Sequence, residues 1–165
     1  MINLEHVTEY QHQQSLLFAK YSTSSSVDEY GKRNQYNINK IQQDIYNGKV
    51  SEFMVYNYLK NVGKSPSSPD LNIYEKKEKS YDADIIVGNA NIHVKSHCTS
   101  SSFPVSWMFQ KNDPLVIWKP QYNFLCLVVL DKIQNYMFIK DIRDVEFSEP
   151  KKESLKSSKV CIYMT

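Results

Sequence analysis

Residues 81–97 read Y-D-A-D-I-I-V-G-N-A-N-I-H-V-K-S-H, two alternating runs around a Gly-Asn-Ala turn, and no other stretch restricts the fold as tightly. In an extended chain successive side chains fall on opposite faces. Ala83, Ile85 and Val87 then share a face with Ile92 and Val94. The other face collects Asp82 and Asp84 from the first strand, and Asn91, His93, Lys95 and His97 from the second. A turn at Asn89-Ala90 sets Gly88 opposite Asn91, Ile85 opposite Val94 and Asp84 opposite Lys95. That register pairs apolar with apolar and acid with base, and a one-residue slip loses both matches.

A chain of 165 residues is expected to form one domain, residues 1–165, with a real core, and its 41% apolar content argues for packing rather than disorder. The formal charge of +2 excludes a histone-like polycation. It leaves nucleic-acid contact to local patches such as Lys76, Lys77 and Lys79. Cys98, Cys126 and Cys161 are odd in number and widely spaced, so no disulfide framework is expected and a reducing cytoplasm is the natural setting. Met1 to His6 does not open a signal peptide, and the longest apolar run, Phe124 to Leu130, is too short to span a bilayer. A soluble intracellular protein with no membrane partner is expected. Four glycines provide no phosphate-cradling Gly-rich loop.

The first half reads as helical. Leu4, Val7, Leu16 and Leu17 recur loosely, and Tyr21 to Ser26 reads as a polar break. A second helix is predicted from about Asn34 to Tyr46, ending at Gly48. A third runs from Ser51 to Val62 and stops at Gly63. Its stripe of Glu52, Val55, Leu59 and Val62 puts a carboxylate on the inward face. Leu71 to Tyr74 is a candidate strand, and Phe103 to Gln110 a helix or a strand. Phe124 to Leu130 is a buried central strand, followed by strands at Tyr136 to Lys140 and Val160 to Met164. Helices followed by a hairpin-containing sheet indicate an α/β (α+β) layered domain.

From Glu52 to Lys95 the chain resembles the PD-(D/E)xK nuclease superfamily, the restriction-endonuclease-like proteins. The helix glutamate of the family matches Glu52, the strand aspartate Asp84 and the strand lysine Lys95. The acidic position two before that lysine holds His93, which departs from the pattern. The resemblance implies a central mixed sheet flanked by helices, and metal held by Glu52, Asp84 and the Val94 backbone carbonyl. It also implies a DNA substrate. Pro69-Asp70 followed by Glu75-Lys76-Lys77 repeats the letters of the motif, but too little chain separates them for two antiparallel strands, so it reads as a decoy.

The chemistry stands beside the name. Phosphodiester hydrolysis uses a divalent cation to polarise the phosphate, activate water and offset leaving-group charge. Magnesium takes oxygen ligands, which Asp84 and Glu52 supply, while Lys95 can bind the scissile phosphate or orient water. His93 at an acidic position makes manganese an alternative cofactor, since it accepts nitrogen more readily. Lys76, Lys77, Gln110 and Lys111 are candidate DNA contacts, whereas Trp107 and Phe109 read as core. Each site residue also has a plainer reading. Asp84 and Lys95 can be a cross-strand ion pair, and Glu52 a first-turn carboxylate favouring the helix dipole. Zinc at His93, His97 and Cys98 is disfavoured, because histidines four apart on a strand lie too far apart to chelate one ion. The expectation is a magnesium-dependent endonuclease (restriction-like, homing-type or phage-borne) acting on double-stranded DNA, with a homodimer as an option. The alternative is an inactive nucleic-acid-binding or protein-interaction module on the same fold.

Overall fold

Both faces of Phe124 to Leu130 are apolar because both are covered, as expected of a central strand. On one face Leu125, Leu127 and Val129 pack with Trp107, Phe109 and Ile142. On the other, Cys126 and Val128 pack with Val50, Met54, Val55, Leu59 and Ile85. Each such aliphatic side chain withdrawn from water contributes about 1.5–3 kcal/mol, so one sheet carries two cores back to back.

The computed structural model describes residues 1–31, 35–74 and 83–164. In chain order its elements are β1 (Ile2–Leu4), α1 (Glu9–Gly31), α2 (Ile38–Asn61), β2 (Ile85–Val87), β3 (Ala90–Cys98), β4 (Ser106–Gln110), α3 (Pro114–Trp118), β5 (Asn123–Leu130), β6 (Asn135–Asp141) and β7 (Lys159–Tyr163). Five strands form a mixed sheet in the order β1-β6-β5-β3-β2, and β4 pairs with β7 in a separate ribbon. β3 runs parallel to β5, and the other pairs are antiparallel. Helix α2 lies on one face with α1 against it, and the ribbon covers the other. This is a mixed α/β fold. No described helix is long and apolar enough to cross a membrane.

Helix α1 runs straight through Tyr21 to Ser26, where the sequence reads as a break. The hydroxyls fold back on the helix: Ser22 Oγ donates to the Phe18 carbonyl at 2.6 Å and Thr23 Oγ1 to that of Ala19 at 2.5 Å. Ser15, Ala19, Ser22 and Thr23 are buried, so the inward stripe of α1 is small rather than greasy and brings α2 close. Thr8 and Gln11 start the helix with reciprocal backbone-to-side-chain bonds at 3.1 and 3.2 Å.

Helix α2 is continuous through Gly48, joining the two helices predicted there. A mid-helix glycine costs about 1 kcal/mol, which the buried run after it offsets. The Asn34 start predicted for the first of them lies outside the described residues. Val62 faces solvent rather than the core. Gly63, at φ 77°, ends the helix as expected: its N–H reaches the Lys60 carbonyl at 3.0 Å and that of Lys64 reaches Leu59 at 2.9 Å. Leu71 to Tyr74 is irregular rather than a strand, and Phe103 to Gln110 resolves into β4.

The paired residues of the hairpin keep their predicted faces but not their register, and Asp84, just outside the ladder, leaves the face it was expected to share with Lys95. Ile85 pairs with Ile92, not Val94, and Val87 pairs with Ala90. The turn is Gly88-Asn89, because Gly88 takes φ 56°, a left-handed value that glycine adopts freely and Ala90 would resist. The shift from Val94 to Ile92 is two residues, so apolar still meets apolar. Asp84, however, no longer stands across from Lys95.

Candidate functional site

Strand β2 begins only at Ile85, so Asp84 sits where the first hairpin strand leaves the sheet. Its carboxylate takes the place of a strand carbonyl and accepts the Val94 N–H at 2.7 Å. In a strand the N–H and C=O of one residue point the same way, so the Val94 carbonyl is directed toward the same side. Among the described residues, Glu52 and Cys126 feel the Asp84 charge, and both belong to the α2 side of the sheet. Burial, with Asp84 adding to it, pushes the Cys126 thiol up to about 12.

Glu52 reaches this region from the middle of α2. Its Oε2 lies 2.5 Å from the Lys49 ammonium, one helical turn earlier, and both side chains are largely buried. Lys49 also donates to the Asp70 carbonyl at 2.6 Å and lies 4.4 Å from the Phe18 ring centroid. Burial pushes the Glu52 carboxyl up to about 8; Lys49 pulls against this, while Asp84 and Asp70 add to it. Burial also acts to raise the Asp70 carboxyl, but its bonds with Tyr74 and the Asn72 N–H, together with Lys49, outweigh that and hold it below the ordinary value. Asp70, set aside in the sequence as a decoy, therefore stands within electrostatic reach of Glu52.

Lys95 lies on the other face. Strand alternation turns His93, Lys95 and His97 toward the ribbon, and the Lys95 ammonium sits 5.5 Å from the Phe109 ring centroid. No ion pair joins Asp84 to Lys95 among the described residues, which removes the cross-strand pair inferred from the sequence. His93 Nε2 is 2.8 Å from Asn123 Oδ1. The Asn123 amide in turn donates to the Gln121 carbonyl at 3.0 Å, so the oxygen faces the ring and Nε2 carries the proton. His97 Nδ1 lies 3.0 Å from the Ser106 carbonyl, tying β3 to β4, and its Nε2 is buried with no hydrogen-bond partner.

The structure thus ties Asp84 to the Val94 N–H with Glu52 in electrostatic reach, and places His93 and Lys95 on the opposite face of β3. Gln110 and Lys111 end β4 on that same ribbon side. Lys76, Lys77 and Asp82 lie outside the described residues. Trp107 and Phe109 are core, as expected: the Trp107 indole is buried and donates to the Val128 carbonyl at 3.1 Å. Cys98 Sγ lies 3.0 Å from the Ser100 hydroxyl, and no described cluster of three His, Cys, Asp or Glu side chains is placed to hold a metal.

Three residues of the site escape a sequence reading. Lys49 carries a signal, since it falls one turn before Glu52 on the same helix face. Asp70 had one too, in Pro69-Asp70. Asn123 had none beyond being a polar residue at the start of an apolar strand. No protein-family model, curated protein or solved structure matches the chain.

Proposed function

We propose that the chain is a divalent-metal-dependent DNA endonuclease of the PD-(D/E)xK type, with the restriction-endonuclease-like core that this implies. The observation that carries the reading is that Glu52, on a helix, lies within electrostatic reach of Asp84, which is anchored to Val94 where the hairpin strands separate. Two carboxylates and a carbonyl are hard oxygen donors, a set suited to magnesium or manganese. Such a cation, when bound, activates water and offsets charge on the phosphate. Asp84 and Glu52 would hold it, with the Val94 carbonyl as a further oxygen donor.

Lys95 contributes a cation to the substrate phosphate. Its contact with Phe109 is worth only about 0.5–1 kcal/mol, so the long stem is released at small cost and swings toward the strand edge. His93, with its proton on Nε2, keeps Nδ1 as an acceptor for a water or the metal. The substrate is double-stranded DNA, and a dimer would present two sites to two strands.

Plasmid nicking with magnesium, with manganese and with chelator tests the reading. Metal-dependent nicking lost in Asp84→Asn supports it, and nicking that survives in Asp84→Asn sinks it. A second reading, a nucleic-acid-binding module without catalysis, draws on the Lys49 ammonium. It already holds the Glu52 carboxylate that the metal would need. DNA retained at low salt with no cleavage in either metal favours that module.

A further inference from the structure

The turn between α3 and β5 leaves large aromatic surface in water. Trp118 is 75% exposed and Tyr122 is 54% exposed, whereas Trp107, the other tryptophan, is 2% exposed. Aromatic rings carry large apolar area that folding ordinarily buries, as it does for Trp107. Trp118 and Tyr122 both lie outside the two clusters.

The backbone there is fixed, not slack. Lys119 and Tyr122, at φ 42° and 62°, are the non-glycine residues with left-handed backbones among those described. Each such residue costs on the order of 1–3 kcal/mol and persists only where its surroundings impose it. Lys119 Nζ donates to the Val145 carbonyl at 2.6 Å and lies 5.9 Å from the Phe147 ring centroid. The Tyr122 carbonyl accepts the Asn91 N–H at 2.8 Å. The turn is therefore clamped from both sides while its rings point outward.

Its position matters as much as its rigidity. Asn123, next in the chain, is the residue bonded to His93, so the aromatic turn abuts the β3 segment that carries His93 and Lys95. Arg143 lies within electrostatic reach of Tyr122, and exposed Lys140 pairs across from Leu125. Acids share the surface: Asp141, which accepts from Arg143 at 2.7 Å, with Asp144, exposed Glu146 and the α3 cap Asp113. Lys119, Lys140 and Arg143 offer cations to phosphates one by one, but the patch carries no net positive charge, so the exposed rings rather than the field set what binds there.

We propose that Trp118 and Tyr122 form a stacking platform for unpaired bases, so that the site takes DNA whose strands are separated (a flap, a bubble or a frayed end) in preference to a fully paired duplex. This rests on the nucleic-acid reading of the Asp84 site. A flat ring binds the face of any base, and a duplex hides those faces inside its stack; cations beside the rings meet the phosphates.

The test exploits the two tryptophans. With Trp107 buried, the fluorescence that a ligand can quench belongs to Trp118. The full chain, in chelator so that nothing is cut, is titrated with a short oligothymidylate and with a blunt duplex of equal length. Saturable quenching by the oligothymidylate, stronger than by the duplex, is expected. Trp118→Leu, a surface change that leaves the cores untouched, should weaken oligothymidylate binding about ten- to a hundred-fold. Cleavage by the parent in magnesium or manganese should then favour bubble over paired substrates.

Tight binding with unchanged Trp118 fluorescence and an unaffected Trp118→Leu variant overturns the platform, while plasmid nicking would still uphold the nuclease. Quenching without cleavage of any substrate keeps the platform and removes the catalysis. Failure to bind either DNA removes both. Quenching that depends on protein concentration alone assigns the patch to a second copy of the chain and overturns the proposal.

Discussion

The Lys49 ammonium lies 2.5 Å from Glu52 Oε2 in a largely buried pair that Phe18 covers. Breaking such a pair leaves an uncompensated charge out of water, and that is costly. Lys49→Met should lower stability by about 3–5 kcal/mol under alkaline conditions, where Glu52 is ionised. The sign with pH follows from Glu52, pushed up to about 8 from an ordinary 4.5. Between those values the folded state binds the extra proton, so stability falls as pH rises. The loss in Lys49→Met should therefore shrink toward about pH 5, where the lone carboxyl takes a proton. Urea denaturation at both ends of the range decides it, and a pH-independent difference would contradict the pairing.

Asp84 has a structural and a chemical task that two substitutions separate. Asp84→Asn keeps an oxygen for the Val94 N–H and should fold normally, yet lose cleavage by two orders of magnitude or more. Asp84→Leu leaves that N–H without its acceptor and should also lose about 1–3 kcal/mol of stability. Melting curves set beside nicking rates check both. Equal melting of the two variants would deny the backbone bond any weight.

His93 is oriented through Asn123. If its Nδ1 serves the site, Asn123→Ala frees the ring and should reproduce much of the His93→Ala defect, with manganese restoring more activity than magnesium. His93→Asp should retain cleavage in magnesium. Identical metal dependence in the parent and in both alanine variants would leave the ring with no part in the reaction.

His97 predicts an acid limb. Burial lowers its imidazole below the ordinary 6.5, against the pull of the Ser106 carbonyl, and its Nε2 has no partner for a proton. The unfolded chain takes that proton first. Stability is therefore whole above the ordinary value, declines as pH drops through it, and levels once the folded ring is charged. His97→Gln removes the titration and should flatten that limb, as thermal melting across the range would reveal.

The parts legible in the sequence were those with an unambiguous period. β5 announced itself by apolar residues on both faces, and Gly63 marked the end of α2. The faces of the paired residues held because slipping by two preserves parity, but Asp84, beyond the end of the ladder, turned to the side away from Lys95, and the register turned on which residue takes the left-handed position, a matter of Gly88 against Ala90. Helix α1 hid because serines and alanine, not leucines, make its inward stripe. Gly48 looked like a stop because packing, which overrides propensity, is not written locally. For the site, Asp84 and Glu52 were visible as residues, while Lys49 and Asp70 became part of it only through folding. Lys95 was paired on paper by a register the chain does not adopt.

The lengths of the strands have a consequence for how these molecules meet each other. β1 and β2, at the two margins of the sheet, are 3 residues each, against 9, 8 and 7 in β3, β5 and β6. A second molecule adding a strand beyond β1 or β2 finds only a short ladder to extend. Asp84 shortens it further, since its side chain already occupies the Val94 N–H that a foreign carbonyl would claim. In the ribbon, Ser148 bridges to Cys161 and occupies the flank of β7 away from β4. A carboxylate at one margin and a serine at the other thus occupy backbone positions that a foreign strand would otherwise claim.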